Sequence, residues 1–187
     1  NVAIEQNWDG QYDQLPAAAA DLVMHKVVVI VTANTPGALA AKKATTTVPI
    51  VFNVGVDPVQ AGLVASLNRP GGNATGISVL NIELGSKQLE LLHEMVPAAT
   101  SIALLINPAS PAFAEPLVRQ LKLASEKRKL RLHVLQASAE RDFDSIFATL
   151  AKLRAGALVI SSDPFLNSHS ELVAARARHL LELGWDA

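Results

Sequence analysis

Five short stretches set Asp, Asn, Ser or Thr near a proline or at a strand end, and the chemistry of this chain would sit there. They are Asn34-Thr35-Pro36, Gly55-Val56-Asp57-Pro58, Ser78 with Asn81, Asn107-Pro108-Ala109-Ser110-Pro111, and Asp163-Pro164-Phe165 with Asn167. A proline in the first helical turn gives up no needed N–H, and the polar residue before it can cap the remaining donors. Capping alone would explain Asp57-Pro58 and Asp163-Pro164 in any protein. Their number adds a second meaning. Several such turns along one edge would ring it with helix N-termini, whose N–H groups and partial positive charge suit a carboxylate or phosphate. The side chains of Asp57 and Asp163 would suit an ammonium group, and both features together a zwitterion. Phe165 is the one aromatic in these loops, placed either to stack on a ligand ring or to pack beneath its own loop.

Catalytic patterns are mostly absent. The sequence has no Gly-x-Gly-x-x-Gly after its first strand, no phosphate loop ending in Lys-Ser/Thr, and no Gly-x-Ser-x-Gly elbow. Its histidines, His25, His93, His133, His169 and His179, are not paired at metal-ligand spacing. They read as residues of helix surfaces and strand edges. The chain lacks cysteine, which removes disulfides, thiolate metal sites and cysteine nucleophiles without fixing a compartment. No enzyme, metal or other cofactor is expected. Nor is nucleic acid: the net charge is −1, and Lys127-Arg128-Lys129 with Arg131 is the only basic run.

The elements that must position these loops alternate. Short β-branched runs at Val2–Glu5, Val27–Thr32, Ile50–Asn53, Thr75–Ser78, Ile102–Ile106, Arg131–Gln136 and Ala157–Ser161 read as strands. Helical spacing falls between them, near Gln14–His25, Pro36–Ala44, Val59–Leu67, Ile82–Val96, Ala112–Lys127, Arg141–Arg154 and Ser168–Leu183. Strand and helix repeated this way predict an α/β fold with parallel sheets. Half of the 187 residues are hydrophobic and only 4% aromatic, so the core is aliphatic. A run as apolar as Val27–Val31 predicts helices on both faces of its sheet. Ligands of such sheets bind beyond the carboxyl ends of the strands, where the five polar stretches fall. Two strand–loop–helix units, starting at Val29 and Leu158, follow one pattern. No apolar run reaches the roughly 20 residues of a membrane span.

Longer stretches carry a resemblance. Gln11-Tyr12-Asp13-Gln14-Leu15-Pro16, then Thr45-Thr46-Thr47-Val48-Pro49-Ile50-Val51-Phe52, lead to Asp57-Pro58-Val59. Gly62-Leu63-Val64-Ala65-Ser66-Leu67-Asn68-Arg69-Pro70-Gly71-Gly72-Asn73-Ala74-Thr75-Gly76-Ile77-Ser78 follows, then Leu89-Glu90-Leu91-Leu92, Val96-Pro97, Asn107-Pro108 and Asp163-Pro164-Phe165. With these the chain resembles the ABC-transporter substrate-binding family that includes tryptophan- and tyrosine-binding members.

The resemblance implies a type I periplasmic-binding-protein fold of two Rossmann-like lobes, here residues 1–78 and 79–187. It implies a small polar solute, such as an amino acid, trapped between the lobes by hinge closure. It also implies a periplasmic or other extracytoplasmic, membrane-associated location and delivery to an ABC permease in the membrane. Carried over by position, Thr35, Asp57 and Ser78 would face the ligand from the first lobe. Asn107, Ser110, Asp163 and Phe165 would do so from the second. The family's opening βα unit and its closing strands have no counterpart here, so the fold is expected to be cut at both ends. Three other readings stand beside solute capture: the sensor domain of a transcriptional regulator, an α/β enzyme, and a truncated paralogue that binds no solute. Unpaired sheet edges would then favour a homodimer.

Overall fold

In the computed structural model the protein is described over residues 3–6, 12–79 and 81–182. The chain divides into two compact units, Asn1–Leu80 and Asn81–Ala187.

In the first unit a 3-10 turn (Tyr12–Gln14) opens α1 (Leu15–Met24), followed by β1 (Ile30–Thr32), α2 (Thr35–Ala44), β2 (Ile50–Val54) and β3 (Ala74–Ser78). The strands are parallel in the order β1-β2-β3. Burial alternates along β2: Ile50, Phe52 and Val54 point inward, while Val51 and Asn53 point out. The buried side meets α2, whose Ala38, Ala40 and Ala41 let the helix approach closely. At the β2–β3 pairing Phe52 lies opposite Gly76, and any Cβ on Gly76 would fall into the Phe52 carbonyl and ring. Asn73 ties the entry to β3 to the preceding turn, donating from Nδ2 to the carbonyls of Val48 (2.7 Å) and Thr45 (3.2 Å).

The second unit runs α3 (Asn81–Met95), β4 (Ser101–Ile106), α4 (Pro111–Lys127), β5 (Arg131–Gln136), α5 (Asp142–Leu153), β6 (Ala157–Ile160), α6 (Pro164–Ser168) and α7 (Ser170–Glu182). Its strands are parallel in the order β5-β4-β6. All six residues of the central β4 are buried. Ala103 and Leu105 pack with Phe143, Ile146, Phe147 and Leu150 of α5, Leu166 of α6 and Val173 of α7. Ile102 packs oppositely, with Leu89 of α3 and Ala124 of α4. This sheet is therefore covered on both faces, as its apolar central strand requires.

Several sequence expectations differ from the structure. The helix expected over Val59–Leu67 is a single turn: the Leu63 N–H reaches the Pro58 carbonyl at 2.8 Å, and Gly62, at φ +72°, turns the chain away. Ala3–Glu5, within the strand expected over Val2–Glu5, forms no ladder, and Ile4 is 89% exposed. The strand expected from Val27 begins at Ile30, because Lys26 turns through φ +56° and Ile30 is the first N–H to bond across the sheet, to Pro49 at 2.9 Å. Both-face coverage fails in the first unit, where Val31 is 73% and Ile77 62% exposed. The last expected helix, Ser168–Leu183, is α7, with its expected end at position 183 outside the described residues; the short α6 precedes it, where a loop was expected. Among the described residues no helix is long and apolar enough to cross a membrane.

Candidate functional site

In the second unit the chain passes from β4 through α4 to β5, then returns across β4 through α5 to reach β6 on the other side. At such a switch point the loops leaving the two neighbouring strands diverge and open a crevice at their carboxyl ends. Asn107 leaves β4 there and Asp163 follows β6. Each is 3% exposed, and Asn107 Nδ2 donates to Asp163 Oδ1 at 3.1 Å.

The same carboxyl oxygen caps α6, accepting from the backbone N–H of Phe165 (3.0 Å) and of Leu166 (3.3 Å). Asn107 Oδ1 in turn accepts from the Ala109 N–H at 3.0 Å, which shapes the turn into α4. Ser110 is buried at the N-cap position of α4, where its carbonyl, rather than its side chain, receives the first helical bonds from Phe113 and Ala114. Phe165 is half-buried. Its ring stacks on Phe143 at a centroid distance of 5.9 Å and meets His169 at 4.6 Å. Of the two roles open to Phe165, packing beneath its own loop is the one these contacts display.

In the first unit Thr35, Asp57 and Ser78 follow or end three adjacent parallel strands, so one sheet edge carries all three. Thr35 is buried in the first turn of α2. Asp57 Oδ1 accepts from the N–H groups of Val59 (2.8 Å) and Gln60 (3.3 Å), and Ser78 Oγ donates to the Val56 carbonyl at 2.8 Å. The expected residues thus form two sets, three in one unit and four in the other.

Asn34 belongs to the first of the polar stretches, whereas Thr32 and His169 were not among the expected site residues. Asn34 is the true cap of α2, its Oδ1 accepting from the Gly37 N–H at 2.7 Å. A Cβ on Gly37 would lie 3.0 Å from that oxygen, so the glycine keeps the cap short. Thr32, the last residue of β1, has a buried Oγ1 with no hydrogen-bond partner among the described residues. Burying a hydroxyl this way is costly, which marks it as a group that a ligand at the sheet edge could satisfy. The signal was available, a threonine closing a strand just before a polar loop. His169, expected on a helix surface or strand edge, is half-buried in the aromatic group.

Away from both edges, His25 at the end of α1 bonds Glu5 through Nδ1 at 2.9 Å and lies 3.8 Å from Asp21. The hydrogen bond that His25 donates to Glu5 and the nearby Asp21 charge raise the His25 pKa above its ordinary value. These three side chains approach closely enough to hold a metal ion, a grouping that sequence spacing did not reveal. All are solvent-accessible.

The family model described as ABC transporter substrate binding protein matches residues 2–179. Over 109 residues, 57% of this chain and 31% of the other, the sequence is 38% identical to a tyrosine-binding protein of Clostridioides difficile. A conserved domain protein of Vibrio cholerae, solved by crystallography, is 32% identical with a TM-score of 0.79, covering 91% of this chain and 56% of that one. An ABC domain from Streptococcus pneumoniae in complex with L-Trp has a TM-score of 0.77 at 24% identity, covering 94% and 59%; at that identity it speaks for the fold alone. The chain spans about a third of the length of the curated relative and under two thirds of these structures.

Proposed function

This chain belongs to the family of ABC transporter substrate binding proteins, and from that premise we propose that it captures an amino acid outside the cytoplasm for an ABC importer. The solute is a zwitterion, handed to a membrane permease after the two units close around it. The Asn107–Asp163 pair carries this reading: two buried polar side chains meet at the switch point of a parallel sheet, where such sheets take their ligands. Asp163 and Asp57 would receive the ammonium group. The edge formed by Thr32, Asn34 and Thr35 at the start of α2 would receive the carboxylate, with the Thr32 hydroxyl gaining the partner it lacks. The likeness to a tyrosine-binding protein makes L-tyrosine the first ligand to try. Closure needs contacts that differ between open and closed forms, and a ligand touching both units would supply them.

Titration calorimetry against the twenty amino acids, with L-tyrosine first, tests this directly. A ligand at a hundred times its dissociation constant should stabilise the chain by about 2.7 kcal/mol. Binding that disappears in Asp163→Asn and in Asp57→Asn supports the assignment. A cooperatively folded chain that takes up no amino acid refutes it.

A further inference from the structure

Phe165 is held at its N–H, its ring and its carbonyl by named groups, and one of them stands outside the polar loops. Its N–H donates to Asp163 Oδ1, its ring stacks on Phe143, and its carbonyl accepts from Ser168 Oγ at 2.8 Å. The same carbonyl lies 2.8 Å from His169 Nδ1. Ser168 Oγ lies 3.1 Å from the same nitrogen; a carbonyl can only accept, so a bond from His169 to the Phe165 carbonyl requires the proton on Nδ1. Its ring presses on Phe165 at 4.6 Å and on Phe143 at 5.7 Å, while Nε2 faces the Glu140 carboxylate at 3.9 Å. The backbone of His169 joins the two last helices, donating to the Leu166 carbonyl and accepting from the Val173 N–H.

We infer that His169 is the positioning residue of the site. Its Nδ1–H bond and ring contact hold Phe165; the Phe165 and Leu166 N–H groups hold the Asp163 carboxyl; and that carboxyl holds Asn107 across the crevice. The five-residue α6 is too short to hold itself in place, because few of its backbone groups find partners inside the helix. His169 supplies the missing restraint from the residue that follows it. Only the ligand-affinity part of this inference rests on the proposed function.

Nitrogen-edited NMR of the full chain tests it without any ligand. Neutral His169 should show the Nδ1–H tautomer. In His169→Leu, which keeps the bulk and loses the donor, hydrogen exchange at the Asn107 side-chain amide should quicken about three- to tenfold, the loss of one ordinary hydrogen bond. In His169→Asn, whose amide nitrogen stands where Nδ1 stood, exchange should return close to the original rate. An Nε2–H tautomer in the unsubstituted protein overturns the inference even if the leucine variant fails to fold. So does an Asn107 amide indifferent to His169→Leu, or one that His169→Asn does not restore. L-Tyrosine affinity should follow the same order across the three proteins. If the unsubstituted protein binds no tyrosine or other amino acid while Asn107 still follows residue 169, the functional proposal falls and the positioning role stands.

Discussion

Asn107 and Asp163, 56 positions apart in sequence, meet in a 3.1 Å hydrogen bond at the ends of neighbouring parallel strands. One carboxyl oxygen therefore serves a contact between loops and the cap of a helix. Site and fold share an atom.

Asp163→Ala should for that reason destabilise the second unit by about 2–4 kcal/mol, combining a lost cap with a buried amide left unpaired. Asp163→Asn can keep an accepting oxygen for both N–H groups and should cost less. Urea unfolding of the two variants, followed by far-ultraviolet circular dichroism, ranks them. Equal costs would mean that the negative charge, rather than the hydrogen-bond geometry, holds the loop.

Gly76→Ala should act on the first unit alone. The added methyl has no room against the Phe52 carbonyl and ring, so the β2–β3 pairing must part. A cost of about 3 kcal/mol or more is expected from overpacking against backbone that cannot yield. Hydrogen exchange should show lost protection in Ile50–Val54 and Ala74–Ser78, with β4, β5 and β6 unchanged.

Phe143→Ala removes a ring that is 1% exposed and stacked on Phe165. A loss of about 3–5 kcal/mol is expected. Exchange at the Phe165 and Leu166 amides should quicken as well, because their loop rests on that ring. Calorimetric melting together with those amide rates would separate the two effects.

Opposite pH dependences are expected at two solvent-accessible groups. His25 has a raised folded pKa, chiefly from its bond to Glu5 and then from Asp21. Its contribution is full below the unfolded value of 6.5 and fades as pH climbs through the higher folded one. Asp142 is depressed, mainly by the N–H groups of Ser138 and Ala139. Its contribution is present above 3.8 and lost as pH falls through the lower folded value. Comparing melting curves of His25→Ala and Asp142→Asn with the unsubstituted protein between pH 2.5 and 8.5 checks both signs. A His25 effect that grows with pH would contradict the Glu5 pairing.

The sequence was informative wherever one rule acted alone. The burial of β4 and the helical stripe Phe143, Ile146, Phe147 and Leu150 follow from hydrophobic spacing, and both are present. Proline after a polar residue located the caps at Asp163 and in the Asp57 turn. Spacing misled at Val59–Leu67, because apolar side chains recur there while Gly62 ends the turn after one cycle. It was silent on the Asn107–Asp163 bond, which depends on strand order, and strand order is not written in any local pattern. It was silent again on His169, whose role comes from a carbonyl four residues earlier rather than from its own neighbours in a motif.

The order β5-β4-β6 also has a consequence during synthesis. The central strand, wholly apolar after Ser101, leaves the ribosome before either strand that will flank it. Roughly fifty residues separate its end from the start of β6, about 3–10 s of translation at ordinary rates. Through that interval Ile102–Ile106 has an open edge and no closing partner, the condition under which nascent chains are most dependent on chaperones.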